Sequence, residues 1–145
     1  MDTPKPIGYW LKHLHNLMER QFEAALADLD MGRRHWQVLN VLYGGARTPD
    51  ELDLALEPFW EGDGPTLETI LDGRDGLVTC GWVKRGPLLL SLSDDGYEAY
   101  REVAARIDRT RATIMAGLSA EEYAETIRVL SVMSANIERS LRKPR

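Results

Sequence analysis

The side chains best suited to metal binding or nucleophilic chemistry are three histidines and one cysteine. His13 and His15 lie two residues apart in a segment of helical periodicity, so they point to different helix faces. No C-x-x-C or H-E-x-x-H pattern accompanies them or His35, and the sequence favours neither a metal site nor a cofactor. Cys80 ends an apolar run, which favours a buried structural cysteine over an exposed redox-active thiol.

Carboxylates are plentiful, but none is paired with a histidine or a serine in a recognisable catalytic motif. We therefore predict that the protein is not an enzyme. The N-terminal sequence lacks the basic-then-apolar order of a signal peptide, and no apolar run approaches the length that spans a bilayer. A cytoplasmic protein is the expectation.

The charged residues are unevenly distributed along the 145 residues. The net charge of −5 argues against nonspecific coating of nucleic acid, although it leaves room for a sequence-specific binder with a local basic face. From Thr48 to Val83 there are nine acidic residues and one basic residue, whereas from Lys84 to Arg145 there are eleven basic and nine acidic residues. The basic residues that could contact phosphates are Arg33, Arg34, Arg47, Arg74, Lys84 and Arg85.

Long helices are predicted at both ends of the chain. Apolar residues recur every three or four positions from Ile7 to Leu29, and Met31-Gly32 is expected to close this first helix. Ser93–Gly96 opens a second long helix with apolar positions as far as Leu118, and a capping box at Ser119 begins the last one. So many apolar faces exceed what a small centre can bury, so a homodimer formed by the terminal helices is predicted.

Between the long helices the pattern predicts three shorter helices and a hairpin. The first is RRHWQVLNVLYGG, and the second begins with a capping box formed by Thr48 and Glu51. A loop rich in glycine and proline precedes the third helix at Thr66, and Gly86-Pro87 joins two short strands. The predicted order is α-α-α-α-β-β-α-α, a mainly α fold.

Two glycines interrupt the helix that begins at Thr66. Gly73 and Gly76 each cost about 1 kcal/mol relative to alanine inside a helix, and one interpretation is a loop that ends the helix there. The apolar pairs Ile70/Leu77 and Leu71/Val78 are both seven residues apart, which preserves one helix face. This spacing favours a continuous or kinked helix.

The order of these elements, with their residues, resembles the MarR family of bacterial and archaeal winged-helix regulators. The similarity covers nearly the whole chain. It depends on five successive motifs, which are RRHWQVLNVL, TPDELDLAL, LETILDG, LVTCGWVKR and LSDDG. The sequence is therefore identified as a MarR-like winged helix-turn-helix chain over residues 1–145.

The resemblance implies a cytoplasmic homodimer that binds a double-stranded DNA operator, acts as a repressor and is released by a small aromatic or phenolic effector. Residues 5–31 and 97–143 correspond to the dimerisation helices, and residues 33–93 correspond to the DNA-binding region. The recognition helix corresponds to residues 65–80 and the wing to residues 84–92. The implied DNA-binding residues are Thr66, Glu68, Thr69, Arg74, Lys84, Arg85 and Arg34, and the implied ligand-binding residues are Trp10, His13, His35 and Trp36.

Two departures from the family pattern concern the DNA-binding region. The segment Gly73-Arg74-Asp75 corresponds to about three residues more than family members usually have. The hairpin is short and lacks the family's D-x-R element. The alternative hypothesis is a winged-helix dimer with weakened or lost DNA binding that acts as a ligand- or protein-binding module.

Overall fold

The computed structural model describes residues 4–142, which form six α-helices, two 3₁₀ turns and one two-stranded sheet. The helices are α1 (Ile7–Leu26), α2 (Arg33–Tyr43), α3 (Pro49–Leu56), α4 (Leu67–Asp72), α5 (Asp94–Met115) and α6 (Ala120–Arg142). The strands are β1 (Val83–Arg85) and β2 (Leu90–Leu92), and the 3₁₀ turns are Ala27–Leu29 and Glu57–Phe59. The predicted mainly α architecture with a short hairpin is confirmed.

The chain divides into two compact units, residues 1–110 and residues 111–145. In the first unit, α2, α3, α4, the hairpin and the N-terminal part of α5 surround one hydrophobic core, which the last residue of α1 also enters. Burial of these aliphatic side chains is the main stabilising contribution. They are Leu26, Met31, Val38, Leu39, Leu42, Leu52, Leu56, Ile70, Leu71, Leu77, Val83, Leu90, Leu92, Val103 and Ile107.

The second unit contains the last residues of α5 and the whole of α6. Its helix begins with the predicted capping box: Glu122 N donates to Ser119 Oγ at 3.0 Å, and Ser119 N donates to Glu122 Oε1 at 2.9 Å. Tyr123, Ile127, Ile137 and Leu141 of α6 are exposed although the helix is amphipathic. Lys143 and Arg145, two basic residues at the end of the sequence, lie outside the described residues.

The end of the first long helix differs from the prediction. Leu26 is the last residue of α1, and after the following 3₁₀ turn Asp30 adopts a left-handed conformation with φ 54°. Gly32 does not close this helix. It caps α2 instead, and its N–H donates to His35 Nδ1 at 3.1 Å. The long helix before α6 also ends earlier than predicted, at Met115, with Gly117 at φ 83° in the connection.

The hairpin packs onto the core through alternate residues. Val83 pairs with Leu92 and Arg85 pairs with Leu90, and the three aliphatic members of these pairs are buried. Arg47, which precedes α3, adds a bridge to the free edge of β2: its N–H donates to Leu90 O at 3.0 Å. The second strand begins at Leu90, because Gly86 N donates to Leu89 O and closes the turn there.

None of the helices within residues 4–142 is long and apolar enough to cross a membrane.

Candidate nucleic-acid interface

The helix α4 is the element that the resemblance assigns to DNA reading, and it is held by a cap and by the core. Thr66 is its N-cap, and Thr66 Oγ1 accepts from Thr69 N at 3.2 Å. Ile70 and Leu71 are buried, whereas Thr66, Glu68 and Thr69 are exposed. The burial of one side therefore leaves a short polar face of α4 in solvent.

The recognition helix is much shorter than the predicted range of residues 65–80, so the prediction of a continuous or kinked helix was wrong. It ends at Asp72, where Gly73 leaves the helix with an extended ψ of −177°. The chain then folds back on α4. Leu77 N donates to Ile70 O and Val78 N donates to Leu71 O, both at 2.8 Å. The seven-residue spacing thus reflects backbone pairing between two segments, not one helix face.

The two glycines fit this close return of the chain. A Cβ on Gly76 would overlap the carbonyl oxygen of Leu71, and a Cβ on Gly73 would lie 2.5 Å from Thr69 O. Thr79 Oγ1 donates to Gly73 O at 2.9 Å and ties the loop to the end of the helix. We call residues 73–82 the return loop. Here glycine is required because backbone packs directly on backbone.

Two basic side chains that follow α4 in the chain have no ion-pair partner within residues 4–142. Arg74 in the return loop and Lys84 in β1 are exposed, and neither forms an ion pair within residues 4–142. Arg85 differs, because its Nη2 donates to Asp72 Oδ2 in an ion pair between β1 and the last residue of α4. The structure therefore places Arg85 against α4, but its positive charge is paired with the Asp72 carboxylate.

Arg34, a predicted DNA contact, lies against the loop before α4. Its Nη1 donates to Pro65 O at 2.8 Å, and its guanidinium lies 4.8 Å from the centroid of the Trp60 ring. Trp60 Nε1 in turn donates to Gln37 Oε1 at 2.7 Å. Gly64 packs against the same guanidinium so closely that a Cβ would overlap it. These contacts hold the Arg34 guanidinium against the loop that precedes Thr66.

The other basic candidates are also engaged. Arg33 forms an ion pair with Glu19 at 2.5 Å, and its guanidinium covers the Phe22 ring at 4.2 Å. Arg47 is half-buried beside the hairpin edge, and its Nη1 donates to the carbonyl of the preceding residue. The hairpin tip supplies no further charge, because residues 86–89 read Gly-Pro-Leu-Leu. Arg74 and Lys84 are consequently the best available phosphate contacts among the six candidates.

The residues predicted to bind a ligand fall into separate groups. Trp10 and His13 contact each other and Tyr9 on the exposed face of α1, with the Tyr9 and His13 rings stacked at 5.4 Å. Trp36 of α2 instead stacks on Tyr100 of α5 at 5.0 Å. Within residues 4–142, no ring contact joins Trp10 or His13 to Trp36.

His35 serves as a helix cap on α2, and burial lowers the pKa of its imidazole while Asp75 in the return loop opposes the shift. No group of three or more His, Cys, Asp or Glu side chains within residues 4–142 is arranged to hold a metal ion.

The cysteine prediction was wrong, because Cys80 is exposed and not buried. It lies in the return loop, where its N–H donates to Gly76 O at 2.9 Å and its Sγ lies 3.5 Å from Leu77 O. The apolar residues on both sides of it suggested burial. In the folded chain Leu77 takes the core position, and the turn that follows directs Cys80 outward.

Comparison with solved structures shows which fold this arrangement belongs to. The reduced form of MarR from E. coli is 22% identical, with a TM-score of 0.65 over 90% of this chain and 95% of that one. The Mycobacterium tuberculosis MarR-family protein Rv2887, solved in complex with DNA, is 22% identical, with a TM-score of 0.67 over 90% and 98% of the two chains. The chain has the fold of the MarR-family regulators.

A third similar structure is NadR in complex with 4-hydroxyphenylacetate. It is 22% identical, and the TM-score is 0.63 over 94% of this chain and 100% of that one. No family model matches the sequence.

Two clusters of the winged-helix unit were not anticipated. One is the cluster before α4 in which Trp60 contacts both Arg34 and Gln37. The other is the stacked pair of rings Tyr43 and Tyr100, with a centroid distance of 4.0 Å. The partners are separated by 23 to 57 positions in the chain. No local spacing signals such contacts, because they exist only after the helices have packed.

Proposed function

We propose that this protein is a member of the MarR family and a sequence-specific DNA-binding transcriptional regulator. The observation that carries the proposal is the exposed face of α4, Thr66, Glu68 and Thr69. Arg74 and Lys84, which follow α4 in the chain, are exposed and form no ion pair within residues 4–142. In winged-helix proteins this helix enters the major groove. Two hydroxyls and a carboxylate can bond base edges, and a glutamate can accept from cytosine N4. Arg34 positions the loop before this helix, and Arg85 is a weaker candidate for contact.

The DNA-binding unit of this proposal is residues 33–93, and the homodimer is formed by residues 5–31 and 97–143. Support comes from apolar side chains that remain in solvent on α1, among them Trp10, Leu11, Leu14 and Met18, each at least 42% exposed. The helix α6 by itself also exposes apolar side chains. A symmetric partner would remove both sets from water.

A small aromatic or phenolic effector that releases a repressor from its operator completes the proposal. NadR is a protein of the same fold that was solved with 4-hydroxyphenylacetate. Trp10, His13, His35 and Trp36 are the proposed ligand-binding residues, and aromatic rings with imidazole groups suit a ring that carries an acid. The proposal includes no enzymatic reaction.

One observation favours a second candidate, a winged-helix dimer that has weak or no DNA binding and acts as a ligand- or protein-binding module. The acids Glu68, Asp72 and Asp75 lie on or beside α4, while Arg34 and Arg85, the basic side chains that contact this region, are engaged within the chain. Because DNA affinity depends largely on phosphate neutralisation, this balance disfavours tight binding.

A gel-shift titration with the intergenic DNA next to the gene separates the two candidates. The regulator should retard this DNA at low salt and lose affinity steeply as salt rises. Arg74→Glu and Lys84→Glu should each weaken binding by about tenfold or more and reduce the salt slope by roughly one. Arg101→Glu, a reversal at another exposed arginine on α5, is the matched control.

The results assign the function as follows. Retardation that is lost in the two variants but retained in Arg101→Glu supports the proposed regulator. Retardation that all three variants retain means that another surface contacts the DNA. No retardation of the upstream DNA even at low salt makes the binding module the better account.

A further inference from the structure

The hairpin offers only two basic side chains, and one of them is neutralised within the chain. Residues 83–92 contain Lys84 and Arg85 and no other base. The Arg85 guanidinium is paired with the carboxylate of Asp72, and both side chains are nearly half exposed. An ion pair at this exposure remains accessible to other anions.

We propose that the Asp72–Arg85 ion pair restrains DNA binding by holding the guanidinium that would otherwise neutralise a phosphate. The inference rests on the proposed DNA binding and describes how that same site is regulated. Asp72 acts as an internal competitor of the phosphate, because both are anions that seek one guanidinium fork.

The position of Asp72 gives the carboxylate a second unfavourable effect on DNA. It is the last residue of α4, the helix proposed to enter the major groove, so an unpaired carboxylate there would repel the DNA backbone. DNA binding must therefore either leave Arg85 paired or release Arg85 and expose Asp72. Both outcomes lower the affinity relative to a chain without this carboxylate.

The pair is weak enough to exchange. Exposed ion pairs contribute little net stability, because solvent screens them and two side chains must be ordered. A phosphate can therefore displace Asp72, and the restraint adjusts the affinity without abolishing binding. The acidic α4 region then fits a regulator in which a carboxylate of the protein itself lowers the affinity for DNA.

The test is Asp72→Asn in the full-length protein, measured by fluorescence anisotropy with the upstream DNA between 50 and 200 mM salt. The variant should bind about fivefold tighter, since up to about 1 kcal/mol of pairing is removed. Its salt dependence should steepen by about one unit per protomer, because one more phosphate is neutralised. Asp75→Asn is the matched control, since it removes an exposed charge three residues away that is not paired with Arg85.

A double-mutant cycle with Arg85→Gln separates competition from simple repulsion. If Asp72 acts through Arg85, Asp72→Asn should tighten binding much less in the Arg85→Gln background than in the wild type. Thermal unfolding of each variant checks that the fold is retained.

Each outcome has a definite meaning. Equal tightening by Asp75→Asn, or an undiminished effect of Asp72→Asn without Arg85, would show a general charge effect and overturn the restraint. Weaker binding by Asp72→Asn would show that the pair supports the hairpin, which also overturns it. If the wild type binds and only the cycle fails, the proposed function stands. If neither the wild type nor Asp72→Asn binds at low salt, the restraint and the proposed function both fail.

Discussion

The helix α1 and the α4 region, residues 66–82, are stabilised in opposite ways. Over its 20 residues, α1 is amphipathic, yet Leu26 is its only buried residue and most of its apolar side chains remain in solvent. The helix α4 has six residues, but two of its aliphatic side chains, Ile70 and Leu71, are buried and the return loop hydrogen-bonds to it. Helical periodicity is the main signal for the first region, whereas burial in the core and backbone hydrogen bonds to the return loop specify the second.

The largest effect is expected on the proposed dimerisation of two protomers through their α1 helices. If the proposed homodimer forms through α1, Leu14→Glu combined with Met18→Glu should convert it to a monomer. Burial of two such side chains contributes roughly 3–6 kcal/mol, so association should weaken by more than about a hundredfold. Analytical ultracentrifugation across a protein concentration series measures this. Both substitutions keep good helix formers, so α1 itself should persist.

The control for α1 is Lys12→Glu combined with Asn16→Glu, which has the same spacing on the same helix at exposed polar positions. This pair should leave the association constant within a few-fold of the wild type. An unchanged dimer in the Leu14/Met18 variant would show that the exposed apolar side chains of α1 are not the interface. The exposure of α1 would then not be explained by a partner protomer.

A smaller effect is expected on the free energy of unfolding when one glycine from each region is replaced. Gly76→Ala should reduce the free energy of unfolding by roughly 2–4 kcal/mol, since its Cβ would overlap the Leu71 carbonyl. Gly8→Ala in α1 meets no atom within 4 Å and should change stability by less than about 1 kcal/mol, in the stabilising direction. Urea denaturation of both variants provides the values. Equal effects would mean that the return loop does not pack on α4 as described.

The smallest effect concerns pH and the cap at the start of α2. Burial lowers the pKa of His35, so the unfolded chain takes up its proton at a higher pH than the folded chain does. The contribution of His35 to stability is therefore complete above the ordinary histidine pKa of about 6.5 and declines as the pH falls through that value. Protonation also removes the acceptor for Gly32 N.

His35→Gln should consequently lose less stability between pH 7.5 and pH 5 than the wild type, as measured by urea denaturation at each pH. His15→Gln, at an exposed position of α1, is the control and should follow the wild-type profile. If all three proteins showed the same dependence of the free energy of unfolding on pH, the role given to His35 at the start of α2 would be contradicted.

Much of the fold could be predicted because the signals are local. Thr48 and Glu51 form the predicted capping box, with Glu51 N donating to Thr48 Oγ1 at 3.1 Å, and Ser119 and Glu122 form another. Helical periodicity and the turn at Gly86 also involve residues close together in the chain. Such signals act within one or two turns of backbone, so the sequence alone exposes them.

The candidate site could be predicted only in part. The resemblance located α4 and the hairpin, and Thr66, Glu68 and Thr69 are exposed as a reading face requires. It could not show that Arg34 contacts Pro65 O or that Arg85 pairs with Asp72, since these partners are 31 and 13 residues apart. Which basic side chains remain available depends on such contacts.

By itself, then, the sequence determined the order of the helices, their caps and the acidic character of the central region. Only the tertiary structure decided what the α4 region is. The spacing of Ile70 and Leu77 is equally compatible with a continuous helix and with a chain that turns back. Burial of both side chains, together with the hydrogen bond from Leu77 N to Ile70 O, selects the return loop. A local pattern cannot distinguish the two, because the energy difference between them comes from packing against the rest of the core.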